Sequence, residues 1–145
     1  MSDVLPDMGV FRKQKGVSVG EKILVVDDSM FMRGVLRSIL EENGHTVIGE
    51  AENGMEAIQK YVELKPDLVT MDITMPDMTG LEAVKAIRQI DGNARIIMCS
   101  AMGQNAMVME AMKNGALDFI IKPFKVSTVM ESIRRCEIFK KIEND

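Results

Sequence analysis

The chain is short of the residues that build disulfide scaffolds, thiolate metal sites and polyanion-binding surfaces. It has two cysteines, Cys99 and Cys136, in apolar or helical surroundings and in no CxxC pair. That argues against a disulfide framework and points to buried structural thiols in a reducing compartment. Histidine occurs once, at His45, in a segment with turn character. A solvated ring is expected there, and one histidine builds no metal site alone. Positive charge is in deficit: 18 Lys and Arg against 22 Asp and Glu give a formal net charge of −4. A nucleic-acid or anionic-membrane binder carries the opposite balance. No apolar run approaches membrane-spanning length, and the N-terminus lacks the apolar core of a signal peptide. The expectation is a cytoplasmic protein with neither nucleic acid nor membrane as partner.

What is present suits one globular domain. The 145 residues are 46% hydrophobic and 28% charged, enough for a substantial core. Residues 1–20 show no periodicity and carry Pro6, Gly9, Gly16 and Gly20, which reads as a flexible N-terminal extension. Docking of Val4-Leu5 and Val10-Phe11 on the domain or a neighbour is the alternative. From Lys22 the pattern is regular. Apolar strand runs are expected at 23–26, 46–51, 68–72, 96–100 and 118–122. Helical spacing follows each: Met32, Val35, Leu36, Ile39 and Leu40; Ile58, Tyr61 and Val62; Leu81, Val84 and Ile87; residues 104–114; and Val129, Met130 and Ile133. Asn53 to Glu56 reads as a relative of the capping box, and Asn43-Gly44, Pro66 and Gly115 end helices. Strand and helix alternate five times, which predicts a parallel sheet with helices on both faces.

The chemistry-bearing residues fall at one edge of such a sheet. Asp27-Asp28 end the first strand, Asp72 the third, Ser100 the fourth and Lys122 the fifth. Open α/β sheets place ligands at the carboxyl ends of their strands. If strands one and three are neighbours, three carboxylates converge, and such charges repel unless a cation joins them. Oxygen ligands on loops suit Mg²⁺. Each acid taken singly reads as an N-cap or turn residue; the set does not. An aspartate nucleophile, a metal, a hydroxyl and a lysine form a phosphoryl-transfer set: Asp72 attacks phosphorus, Lys122 offers a mobile point charge and Ser100 a donor.

The segments that carry these residues, Asp27-Asp28-Ser29, Met71-Asp72-Ile73-Thr74-Met75-Pro76-Asp77-Met78-Thr79-Gly80, Ser100-Ala101 and Phe119-Ile120-Ile121-Lys122-Pro123-Phe124, resemble the receiver domain of two-component response regulators, in order and at family spacing. The resemblance runs over most of the chain, and assigns residues 21–145 to a receiver domain that includes the last helix. Within the family the segment Met98 to Gln104 is similar to single-domain chemotaxis regulators. The resemblance implies a flavodoxin-like (βα)5 fold with strand order 2-1-3-4-5, the order for which one such regulator serves as a general example. It implies that Asp72 accepts a phosphoryl group from a kinase phosphohistidine. Asp28, Asp72 and the backbone carbonyl of Thr74 would hold Mg²⁺, with Asp27 acting through water. Ser100 and Lys122 would grip the phosphoryl group, and Ser100 moving toward it would let the Phe119 ring turn inward. Implied partners are a chemotaxis histidine kinase, the flagellar motor switch protein and a phosphatase, for a monomer that is a phosphoacceptor switch and not an enzyme acting on external substrates.

Two positions depart from the family pattern. Ser100 stands where Thr is common, and Phe119 where Tyr is common. Thr74 and Met102 occupy positions that tune dephosphorylation in the family. Among 14 methionines, Met102, Met107, Met109 and Met112 crowd the fourth helix, as core filler or as an adaptable partner surface. Lys140-Lys141 reads as a favourable charge pair near a helix C-terminus. A free-standing phosphorelay carrier is the alternative within the class. A haloacid-dehalogenase-type phosphatase is a further one, although it needs a second Asp where Thr74 stands. A flavin carrier is disfavoured because Asp27-Asp28 would repel the cofactor phosphate.

Overall fold

A computed structural model describes residues 20–144, with side chains through residue 138. Most of the N-terminal extension and the Lys140-Lys141 pair lie outside the residues whose side chains are described. The order is β1 (Lys22–Val26), α1 (Met30–Glu42), β2 (Thr46–Ala51), α2 (Gly54–Leu64), β3 (Leu68–Asp72), α3 (Gly80–Ile90), β4 (Ile96–Ser100), α4 (Asn105–Lys113), β5 (Asp118–Ile121) and α5 (Val126–Asn144). The five strands form one parallel sheet in the order β2-β1-β3-β4-β5. This is the doubly wound flavodoxin-like arrangement, whose order reverses between β1 and β3. Among the described residues no helix is long and apolar enough to cross a membrane.

Period-two alternation divides the core. Leu24 and Val26 of β1, with Val69 and Met71 of β3, face Ala57 and Tyr61 of α2 and Val84 and Ile87 of α3. Ile23, Val25 and Leu68 face the other way, toward Leu36, Ile39 and Leu40 of α1 and Val129 and Ile133 of α5. The central strand β3 is buried along its whole length, as a parallel strand covered on both faces must be. Cys99 and Cys136 are free and buried in the second layer, and burial pushes both thiols up.

Helix starts follow local chemistry. The side chains of Ser29, Asn53 and Thr79 each accept a backbone N–H of the first turn of α1, α2 and α3. Thr79 and Glu82 complete a reciprocal capping box that a reading of Gly80 as a strand breaker passes over. At α2 only half of the box forms: Glu56 accepts from Glu52 N–H and not from the Asn53 cap. The α2 stripe is narrower than expected, since Val62 is exposed and Ala57 takes the inner face. The methionines expected on the fourth helix divide: Met107 and Met112 pack on the core, Met109 is exposed, and Met102, also exposed, lies in the loop before α4.

His45 corrects the sequence reading. The ring is buried, and its Nδ1 accepts the Glu21 N–H at 2.9 Å. The turn after α1 folds back on the start of β1, where Thr46 N–H donates to the Glu21 carbonyl, and this carries the ring inside. Burial lowers the imidazole pKa against the opposing charges of Glu137 and Glu21.

Candidate functional site

The site is assembled by strand adjacency. Val26 pairs with Met71, so the residues that follow, Asp27 and Asp72, emerge side by side at the carboxyl edge. Ligand oxygens of Asp27, Asp28 and Asp72 all lie within 4.8 Å of one another. Asp27 and Asp72 are buried and Asp28 is exposed, so the cluster opens to solvent through Asp28.

Local structure holds Asp27 and the chain beyond Asp72. Asp27 Oδ1 accepts the Ser29 N–H at 2.9 Å, an Asx turn that leads into the Ser29 cap of α1. Arg33, buried on the inner side of α1, donates from Nη1 to the Asp27 carbonyl at 2.7 Å and from Nε to Glu50 at 2.8 Å. This anchor is absent from the sequence reading. Its signal was an arginine between the apolar positions Met32 and Leu36 of the expected helix. Beyond Asp72, Gly80 N–H donates to the Ile73 carbonyl at 2.8 Å. A Cβ on residue 80 would lie 2.1 Å from the Asp72 carbonyl oxygen, so only glycine lets the start of α3 close under the acid.

Lys122 follows β5 directly, one residue past the end of the strand. Its N–H donates to the Ser100 carbonyl at 2.8 Å, and its Nζ lies 2.7 Å from Asp27 Oδ2 and 3.4 Å from Asp72 Oδ1. The sequence reading aimed this lysine at a phosphoryl group; here it is paired with the carboxylates. Ser100 ends β4 in a buried position, and Phe119 on β5 is exposed. Thr74 is exposed, and its hydroxyl accepts from Gln104 Nε2 at 2.7 Å.

The charges do not balance. One ammonium faces three carboxylates. Burial, then the neighbouring Asp27 charge, raise the Asp72 pKa to about 6, against the opposing pull of Lys122. For Lys122, burial pulls the pKa down, but the Asp27 hydrogen bond and the Asp72 and Asp27 charges outweigh it and leave the pKa raised. An all-oxygen cluster with excess negative charge and one solvent-open side fits a hard divalent cation such as Mg²⁺. The donor set and the spacing therefore agree with the metal expected from the sequence.

Fold and site together define a flavodoxin-like α/β protein with an acidic, lysine-bridged pocket where the strand order reverses. The chain matches the response regulator receiver domain family over residues 23–134, and it belongs to that family. It is similar to the chemotaxis protein CheY of Thermotoga maritima, 58% identical over 81% of this chain and 98% of that protein. It is also similar to CheY of Bacillus subtilis, 56% identical with the same coverage. Among solved structures it resembles a chain of the CheX-CheY-BeF3-Mg²⁺ complex from Borrelia burgdorferi. There the identity is 38% and the TM-score 0.74, over 77% of this chain and 85% of that one. The chain is thus a CheY-like receiver domain of chemotaxis signalling.

Proposed function

We propose that this protein is a phosphorylation switch in which Asp72 accepts a phosphoryl group from a CheA-like chemotaxis histidine kinase. The observation that carries the reading is the convergence of Asp27, Asp28 and Asp72 under the Lys122 ammonium at one sheet edge. In the transfer an Asp72 carboxylate oxygen attacks phosphorus. The O–P bond forms as the N–P bond of the donor phosphohistidine breaks, and the imidazole leaves with the electron pair. Asp28, Asp72 and the Thr74 carbonyl would hold Mg²⁺, with Asp27 acting through water. Bound there, the ion supplies positive charge for the transferring oxygens. Lys122 as a mobile point charge and Ser100 as a hydroxyl donor hold the phosphoryl group.

Output is read as a change of surface. Met102, Phe119, Ile121, Pro123 and Thr128 line a cleft between the loop before α4, β5 and the start of α5. Ser100 moving toward the phosphoryl group lets the exposed Phe119 ring turn inward and reshapes that cleft for the flagellar motor switch protein. A CheY phosphatase resets it. The Borrelia complex supports the assignment by placing BeF3 and Mg²⁺ with a similar protein.

Incubation with acetyl phosphate and Mg²⁺ tests the reading. Wild-type protein is expected to gain one alkali-labile, hydroxylamine-sensitive phosphate, and Asp72→Asn none. Equal labelling of both would remove Asp72 as the acceptor. Phe119→Ala should label normally and lose the phosphorylation-dependent gain in affinity for a motor-switch peptide.

A further inference from the structure

The ladder between β3 and β4 ends in a side-chain bridge. Ile73 N–H donates to the Cys99 carbonyl at 3.1 Å. In a parallel ladder the next bond runs from Ala101 N–H to the Ile73 carbonyl. Here the Ile73 carbonyl accepts from Gly80 instead, and the Ala101 N–H donates to Gln104 Oε1 at 2.7 Å. The other end of the same carboxamide, Nε2, donates to Thr74 Oγ1 at 2.7 Å. The strands part beside Asp72, and one amide held at both ends spans them.

Two further observations set this bridge apart from an ordinary loop contact. Gln104 occupies the N-cap position of α4 yet makes no side-chain bond to its own helix, so its carboxamide is committed to the bridge. The orientation of that carboxamide is fixed by its partners as well. An N–H at one end demands the amide oxygen there, which leaves the NH₂ for the Thr74 hydroxyl. Ala101 follows Ser100 directly, and Thr74 lies two residues beyond Asp72. The bridge therefore sets the distance between the strand end that carries Ser100 and the one that carries Asp72.

We propose that Gln104 is a positioning residue, a clasp that holds the Ser100 end of β4 in its unphosphorylated place and biases the switch toward that state. The inference rests on the reading of Asp72 as phosphoacceptor. Closing Ser100 on a phosphoryl group moves Ala101 relative to Thr74, and the clasp must then open. A ligand that favours the closed arrangement works against these two neutral hydrogen bonds, so removing them tightens its binding.

The test uses the full chain, Mg²⁺ and beryllofluoride as the phosphoryl probe, with Kd measured by titration calorimetry and Ala101 followed by amide exchange. Gln104→Met keeps the length and deletes both bonds. It is expected to speed exchange of the Ala101 amide and to tighten beryllofluoride about fivefold, the equivalent of roughly one net hydrogen bond. Thr74→Val, at an exposed residue, releases the far end and should also tighten binding. The double variant should gain no more than the stronger single one, because one clasp is lost only once. An unchanged or weaker Kd in Gln104→Met, an Ala101 amide protected as in wild type, or additive effects would each overturn the clasp. Wild-type protein that does not bind beryllofluoride at all overturns the phosphoacceptor reading itself, a result distinct from tight wild-type binding that Gln104→Met leaves untouched.

Discussion

Lys122 Nζ lies 2.7 Å from Asp27 Oδ2, joining the loop after β5 to the loop after β1 across the ends of two intervening strands. The contact makes the lysine the internal counter-ion of the acid cluster. Lys122→Met keeps most of the stem and removes the charge, leaving buried Asp27 and Asp72 and their neighbour Asp28 without it. Loss of one partner of a largely buried pair is expected to cost about 2–3 kcal/mol in chelator, discounted for the partial exposure of the lysine. Mg²⁺ should restore more stability to the variant than to wild type, because the cation replaces the missing charge. Urea midpoints in chelator and in Mg²⁺ measure both effects. Equal midpoints for the two proteins in chelator would show that the pair is worth nothing.

Asp72 gives the cluster a pH signature. Its pKa is raised from 3.8 to about 6, chiefly by burial and by Asp27. Between those values the folded protein binds more protons than the unfolded chain, so stability falls as pH rises through that window. Above it the ionised group costs the full amount, on the order of 3 kcal/mol. Asp72→Asn should therefore unfold near wild type at pH 4 and be clearly more stable at pH 7 in chelator. Mg²⁺ should narrow the gap by stabilising wild type more than the variant, which lacks one of the three carboxylates. A gap independent of pH between 4 and 7 would contradict the assigned cause.

The acids were legible in the sequence because each closes an apolar strand run, and strand parity then places them. Adjacency of β1 and β3 was not readable from pattern; it came with the family resemblance. The features missed are side-chain contacts whose partners the hydrophobic pattern does not name. Arg33 and Gln104 belong to residue types found in every surface helix, and only the folded loops reveal that one anchors the Asp27 carbonyl and the other bridges Ala101 and Thr74. His45 looked solvated because its neighbours are turn formers, whereas the chain folds it against Glu21. The Thr79 capping box was visible in the sequence spacing and was masked by the adjacent glycine.

Thr70 carries the one buried side-chain polar atom among the described residues that has no hydrogen-bond partner, its Oγ1. It lies mid-strand on β3, in register with Val25 and Ile97. Replacing an unsatisfied buried hydroxyl by a methyl group removes a desolvation cost, so Thr70→Val should gain about 1 kcal/mol. A higher urea midpoint with unchanged slope is the expected result. A lower midpoint would show that the hydroxyl is satisfied in solution.

At the opposite edge of the sheet, Arg95 Nη2 donates to Glu21 Oε1 at 2.6 Å, with both side chains buried. Arg95 Nη1 also donates to the Cys136 carbonyl at 3.0 Å, tying α5 to the segment before β4. The pair joins the segments that open β1 and β4 and sits at the other end of the strands from Asp72. Arg95→Met leaves Glu21 buried without its cation and the Cys136 carbonyl without this donor, a loss expected to reach about 3–5 kcal/mol. Replacing both partners, Glu21→Leu with Arg95→Met, removes the stranded charge and should recover much of that loss. Phosphate incorporation in whatever fraction remains folded should match wild type, since no group of the acid cluster is touched. A double variant less stable than Arg95→Met alone would mean that the pair contributes net stability beyond satisfying its own burial.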